Sequence, residues 1–266
     1  MYGKSAARFP RRVVCLSAEH VETCYALGAG DRVVGIPGHA RRPEEARDTP
    51  RIGGFTTFRA DLITRLEPDL VLAFSDLQAD ISAELIRAGC AVLCTNPRSI
   101  EEVLDAILTV GGALGLAARA EELVLDMRDE IRQVREFSSV WPHRPRVYFE
   151  EWPEPPIAGI RWVSEMIELA GGRDVFAELR ERRAAAERVV DPDEVVRRDP
   201  EIILASWCGR PLAMDALVAR PGWDGIAAVR AGRVFEVDGA DVLVPGPSLL
   251  RGLRTMHEIV QQALAG

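Results

Sequence analysis

The stretch Asp61-Leu-Ile-Thr-Arg-Leu-Glu-Pro-Asp-Leu-Val-Leu-Ala-Phe-Ser75 recurs, in residue type, as Asp193-Glu-Val-Val-Arg-Arg-Asp-Pro-Glu-Ile-Ile-Leu-Ala-Ser-Trp207. In both copies an Asp precedes an Arg by four residues, a spacing that puts the two on one face of a short helix. An acid, a Pro that stops the helix and a second acid follow. Each copy then runs into apolar residues, Leu70 to Phe74 and Ile202 to Ala205, in a short bounded run without alternation. That is the pattern of a strand buried on both faces of a parallel sheet. One helix-stop-strand unit used twice, far apart in the chain, predicts two similar lobes.

Outward from the first copy, the chain alternates strand and helix. Arg12 to Leu16 reads as a strand, Ser17 as an N-cap, and Glu19 to Leu27 as a helix ending at Gly28-Ala-Gly30. Val33 to Ile36 is a second strand, and Arg51 to Phe58 a loop with two aromatics at its tip. Asp76 to Ala88 reads as a helix and Ala91 to Thr95 as a strand. This alternation predicts parallel strands with helices on both faces. From Ser99 to Phe137 the pattern is helical, broken near Gly111 to Leu116. Within it, Ala117 to Phe137 has apolar Leu123, Val124, Met127, Ile131 and Val134 on one face, a single helix about 30 Å long. Its length and place suggest a spine between lobes.

After Pro145 the alternation restarts. Arg146 to Glu150 mirrors the opening strand, and Trp162 to Ala170 is a helix ending at Gly171-Gly172. Glu178 to Arg188 is a charge-rich, solvated stretch. The second copy of the repeat follows, then a short helix over Asp224 to Val229, a strand over Arg233 to Val237, and a closing helix over Pro247 to Ala265. The fold class is therefore α/β: two similar Rossmann-like lobes with parallel sheets, joined by one long backbone helix. The expected boundaries are residues 11–112, 113–140 for the connecting helix, and 141–266.

Bulk composition sets the limits. With 266 residues, 47% hydrophobic and 28% charged, the chain has the make-up of a water-soluble globular protein of one large or two smaller domains. A formal net charge of −8 argues against nucleic acid or an anionic membrane as partner. No window has the length and apolarity of a membrane-spanning helix. Met1 to Arg12 has a basic start and no apolar stretch, so the chain as written is expected to carry no secretion signal and to be cytoplasmic. Five cysteines without framework spacing are expected to stay unpaired, in a reducing compartment or in an exported protein that leaves them free.

Phe149-Glu-Glu-Trp-Pro-Glu-Pro-Pro-Ile-Ala-Gly-Ile-Arg-Trp-Val-Ser-Glu-Met-Ile-Glu-Leu-Ala-Gly-Gly172 resembles the helical-backbone substrate-binding proteins of ABC importers, most closely their cobalamin-binding branch. Pro68 to Leu72, Ser206 to Gly209, Arg220 to Asp224, Ala228 to Val234 and Pro245 to Pro247 extend the resemblance over about residues 11–264. It implies a ligand in a cleft between two lobes, little hinge motion, a monomer, and a possible ABC permease partner. Its members are usually periplasmic or lipid-anchored. A corrinoid, cobalamin or a precursor, is the implied ligand, with no catalytic cofactor. Haem, iron-siderophore and metal binders share the scaffold. The resemblance also implies docking on a permease through an acid on each lobe. Asp80 matches that position in the first lobe and Asp215 loosely in the second.

In parallel sheets, ligands sit beyond the carboxyl ends of the strands. That rule selects Ser17, Glu19 and His20, then Phe55, Thr56 and Phe58, then Phe74, Ser75 and Asp76 in the first lobe. In the second it selects Glu150, Glu151 and Trp152 in a loop, Trp162 at a helix start, and Trp207 with Cys208. Four of these, Phe74, Trp152, Trp162 and Trp207, are aromatics in a chain only 6% aromatic, suited to a large flat ligand. Trp223 reads as structural. Four histidines show no metal-ligand spacing, and Cys90 and Cys94 have no second pair to make a zinc site. His20 with Glu19, Glu22, Glu150 and Glu151 is the one candidate metal or cation site, and His20 a candidate axial ligand to a corrinoid or haem. No nucleophile elbow or phosphate loop occurs. Three functions therefore stand: an importer's corrinoid-binding protein, a cytosolic carrier or sensor of the same fold, and a hydrolase using Glu150 and Glu151 with His20.

Overall fold

The structure is a computed structural model that describes residues 9–265. Residues 1–8, on which the reading of a basic start without an apolar stretch mostly rests, lie outside the described residues. The chain divides into two compact units. The first runs to Pro97 and includes Glu101–Asp126; the second takes Arg98–Ile100 and everything from Met127 onward.

The first unit holds β1 (Val13–Cys15), α1 (Ala18–Ala26), β2 (Val33–Gly35), α2 (Ala60–Arg65), β3 (Leu70–Phe74), α3 (Ala79–Arg87) and β4 (Val92–Thr95). Its four strands pair in the order β2-β1-β3-β4, all parallel. Every residue of β1 and β3 is buried, as expected of central strands covered on both faces. α4 (Ile100–Ala113) and α5 (Ala117–Ser139) follow. The break between them falls where Gly111 to Leu116 predicts it. α5 is 23 residues long, and the division between the units falls within it.

The second unit continues with β5 (Arg146–Pro153), β6 (Pro156–Ala158), α6 (Arg161–Leu169), β7 (Arg173–Asp174), α7 (Pro192–Arg198), β8 (Ile202–Ala205), α8 (Met214–Val218), α9 (Ala227–Arg230), β9 (Val234–Glu236), α10 (Gly239–Val242) and α11 (Leu249–Ala265). β5, β8 and β9 run parallel and in that order, with β7 and the antiparallel β6 both paired to β5. This repeats the first unit's plan: β5, β8 and β9 stand where β1, β3 and β4 do.

The repeat shows its physical basis at equivalent positions. Ile63 on α2 and Val195 on α7 are both completely buried beneath the strands that follow them, each contributing about 1.5–3 kcal/mol of apolar burial. Glu67 and Asp199, each directly before the Pro, both adopt left-handed backbone, φ 46° and 45°. The Pro ring excludes the right-handed helical conformation for the residue ahead of it, so both helices stop there. Gly28 and Gly171, also with positive φ, end α1 and α6 as read from the sequence.

Several expectations are corrected. Asp61 does pair with Arg65, at 3.2 Å, but in the second copy Arg197 pairs with Glu194, one residue nearer, leaving Asp193 out of that bond. The stretch from Glu178 to Arg188 is not all solvated: Arg188 is 2% exposed and paired with Glu151. Trp152 is not in a loop but in β5, which runs on to Pro153 and turns back as β6, pairing Trp152 with Ile157. The helix expected over Asp224 to Val229 is two pieces, a 3-10 turn at Trp223–Gly225 and then α9.

Candidate functional site

At the carboxyl ends of the first unit's strands, Gln78 ties three segments together. Its amide nitrogen donates to the carbonyls of Leu16 and Phe55, both at 3.0 Å, and its amide oxygen accepts from the Phe74 backbone N–H at 2.9 Å. Gln78 is fully buried, so all these polar groups are matched out of water. The loop carrying Phe55 is thereby fixed to the end of β3. Phe55 and Phe74 lie 6.2 Å apart between ring centroids, and His39 meets Phe55 edge-on at 5.9 Å. Neither Gln78 nor His39 was selected from the sequence. A polar residue two positions past a strand-end Asp carries no pattern that marks it.

Of the remaining first-unit candidates, Thr56 and Asp76 are exposed, whereas Phe58 turns inward onto the core around Ile63 and Val71. Ser75 is buried in left-handed backbone, φ 67°, and its N–H donates to the Thr95 carbonyl. Ser17, Glu19 and His20 are all buried. His20 Nδ1 lies 2.7 Å from the Ser17 hydroxyl and its Nε2 3.1 Å from the Thr95 hydroxyl. With both ring nitrogens engaged, the imidazole has none left to ligate a metal. Among the described residues no group of three or more His, Cys, Asp or Glu is arranged to hold a metal ion.

Burial moves the two neighbours in opposite directions. It raises the Glu19 carboxyl to about 7, and one of its oxygens lacks any hydrogen-bond partner. It lowers His20 to about 4. Both groups therefore prefer to be neutral in the folded chain.

The second unit's strand ends are built on two buried ion pairs. Glu150, fully buried at the end of the β5–β8 pairing, receives the Arg220 guanidinium on both oxygens at 2.5 and 2.9 Å. The Trp207 indole N–H donates to it at 3.0 Å and the Tyr148 hydroxyl at 3.1 Å. Arg220 also donates to the Pro153 carbonyl and lies 4.7 Å over the Trp223 ring. Burial first, and Glu150 second, hold the Tyr148 hydroxyl well above its usual range. Trp223 is fully buried, as its structural reading requires.

Glu151 has the second arginine. Arg188 donates to it at 2.7 and 3.3 Å and also to the Ala158 carbonyl, while Glu151 accepts the Ile160 N–H. Glu150 and Glu151 are thus each committed to a cation. A carboxylate locked in a charge-assisted pair is a poor proton shuttle, which leaves no acid/base dyad of the kind the hydrolase reading needs. Cys208 follows Trp207 exposed, its N–H on the Glu151 carbonyl. Trp152 carries the Arg210 guanidinium 5.3 Å over its ring. Trp162 is 3% exposed and donates its indole N–H to the Val242 carbonyl, which places it in packing. Arg188 and Arg220 were not picked out from sequence, because each lies tens of residues from its acid.

Asp80 on α3 and Asp215 on α8 are exposed. No helix among the described residues is long and apolar enough to cross a membrane.

Two α/β units of one strand plan, connected through one long helix, define a helical-backbone substrate-binding protein of the ABC-transporter type. Residues 13–240 match the periplasmic binding protein family, and the chain belongs to it. Members of this family bind substrates and are not enzymes. The chain is 28% identical over 266 residues to the uncharacterized ABC transporter substrate-binding lipoprotein YvrC of Bacillus subtilis, covering 94% of this chain and 80% of that one. It is 24% identical over 256 residues to the vitamin B12-binding protein of Vibrio parahaemolyticus, covering 94% and 87%. Among solved structures, the periplasmic heme-binding protein RhuT of Roseiflexus sp. RS-1, in apo form, superposes with a TM-score of 0.83 at 25% identity, covering 96% and 99%.

A carboxyl raised from 4.5 to about 7 contributes stability that is lost as pH rises through that window, and an imidazole lowered from 6.5 to about 4 loses stability as pH falls through its own. In the parent protein the two slopes oppose each other. Glu19→Gln removes one of them, so its unfolding free energy in urea should fall as pH drops from 6.5 towards 4 and exceed the parent's above pH 7. A flat profile with parental stability above pH 7 would show that neither group is desolvated. Separately, Arg220→Met strands Glu150 without its cation and should cost about 3–5 kcal/mol. It should also shift tryptophan emission as the Trp207 indole is released; unchanged stability would mean that Arg220 does not hold Glu150.

Proposed function

We propose that the ligand captured by this substrate-binding protein is a corrinoid, cobalamin or a precursor, held by residues at the carboxyl ends of the strands in each unit. The observation that carries this reading is the pairing of aromatic surfaces with buried anchors. Phe55, backed by the buried Phe74, is fixed by Gln78 in the first unit, and the part-exposed Trp207 indole is fixed by Glu150 in the second. Rigid aromatic faces give a large flat ligand broad contact at little ordering cost. Thr56, Asp76, Trp152 and Cys208 complete the contact set. Ser17, Glu19, His20, Ser75, Glu150, Glu151 and Trp162 support it from beneath, and Phe58 anchors its loop to the core. The likeness to a vitamin B12-binding protein supports the same ligand class.

Haem is the second reading, favoured by the likeness to a heme-binding protein and by His39 beside Phe55, whose imidazole burial keeps towards its neutral form. Charge weighs against it. A corrinoid's rim is ringed by neutral amides, whereas haem brings two carboxylates to a chain of net charge −8. Asp80 and Asp215, exposed on α3 and α8, are the acids we assign to permease docking.

Calorimetric and visible-band titrations with cyanocobalamin, cobinamide and haemin test the assignment. Binding of a corrinoid tighter than about 10 µM is expected, with Trp207→Ala weakening it by roughly 30-fold. Haemin binding with no response to either corrinoid would move the ligand to the haem class. No response to any of the three would overturn the tetrapyrrole reading altogether.

A further inference from the structure

Cys15 ends β1, Cys24 lies near the end of α1, and their sulfurs are 4.0 Å apart in the core of the first unit. Neither residue has any exposed surface. We propose that Cys15 and Cys24 are an oxidisable pair whose disulfide staples α1 to the sheet. This inference is independent of which ligand the protein binds.

Geometry makes closure a local event. A disulfide needs sulfurs about 2.05 Å apart, so the thiols have to approach by roughly 2 Å, a distance that side-chain rotation and a small shift of α1 supply. The two residues are already packed side by side, nine positions apart in sequence. The other three cysteines differ: Cys90 is partly buried and Cys94 and Cys208 are exposed. Cys94 instead directs its thiol to the Ser75 and Thr95 carbonyls.

The element being stapled is one that needs support. α1 is preceded by its N-cap Ser17, whose side chain makes no hydrogen bond to the helix's first N–H groups. In its first turn it carries Glu19, buried with an unpartnered oxygen, and His20. The unpartnered Glu19 oxygen makes burial of the helix costly. A covalent link near its far end holds α1 on β1 in spite of that, by restricting the open chain.

The reaction balances as thiol–disulfide exchange. A small disulfide such as oxidised glutathione is attacked by one cysteine thiolate, giving a mixed disulfide and releasing one glutathione thiol. The second cysteine then displaces the other glutathione. Two protein thiols lose two electrons, one external disulfide gains them, and the two protons end on the released thiols. In the closed fold burial disfavours the Cys15 thiolate, with the neighbouring Cys24 acting in the same direction. Exchange therefore proceeds through opening of α1, and the closed bond is afterwards shielded from reductant.

Differential alkylation of the full chain tests this. The protein is equilibrated with oxidised glutathione in sub-denaturing urea, and free thiols are alkylated under full denaturation. It is then reduced and labelled with a second reagent, and peptides are read by mass spectrometry. Cys15 and Cys24 should carry only the second label, with the peptides containing them cross-linked before reduction. The linked form should melt roughly 5–10 °C above the reduced form, and Cys24→Ala should abolish that redox dependence. First-stage labelling of both cysteines, or glutathione adducts in place of the cross-link, would overturn the pairing. A redox-dependent melting shift that survives in Cys24→Ala, or an oxidised form no more stable than the reduced one, would overturn the stapling.

Discussion

Parallel pairing brings the carboxyl end of every strand to the same edge of a sheet, and with it the cost of whatever polar groups the chain leaves there. In the second unit that edge holds a carboxylate with no exposed surface, Glu150. Alone, such a charge would not stay buried. Arg220 makes it tolerable, and the remaining lone pairs are taken by Trp207 and Tyr148. The same four-way bond that neutralises the acid also orients a tryptophan at the strand end. Stability and site geometry thus share one set of atoms.

The first unit solves the equivalent problem without an arginine. A neutral amide, Gln78, satisfies two carbonyls and one N–H from three segments and so fixes the aromatic pair Phe55 and Phe74. Where it does bury ionisable groups, at Glu19 and His20, burial shifts both towards their neutral forms rather than supplying a counter-charge. Two copies of one backbone plan have therefore reached rigid strand ends by different chemistry, ion pairing in one and neutral hydrogen bonding in the other.

The backbone plan was legible in sequence because it is written in local pattern. The acid-Pro-acid stop, the short apolar runs and the glycines after α1 and α6 each act within a few residues of where they appear. Trp223 was likewise readable as core. What was not legible depends on partners distant in sequence. Arg188 looked solvated because it stands in a charged run, yet it reaches back 37 positions to Glu151. Arg220 lies 70 positions from Glu150, and Gln78 lies 62 from Leu16. Trp152 reads as a loop residue because of the prolines after it, but these mark the turn from β5 into β6. The strand-end rule selects a neighbourhood and does not distinguish a side chain that faces outward, such as Thr56 or Cys208, from one turned inward, such as Phe58 or Trp162.

What remains is a protein whose strand ends are rigid and aromatic, and whose family role is to hold a small molecule for an ABC transporter. The most direct test is to identify that molecule without choosing it in advance, by native mass spectrometry of the protein purified from cells supplied with a full range of nutrients, followed by fragmentation of whatever is released. The account predicts a corrinoid mass, with cobalt in it confirmed by elemental mass spectrometry. An amino acid, sugar or peptide in its place would contradict it.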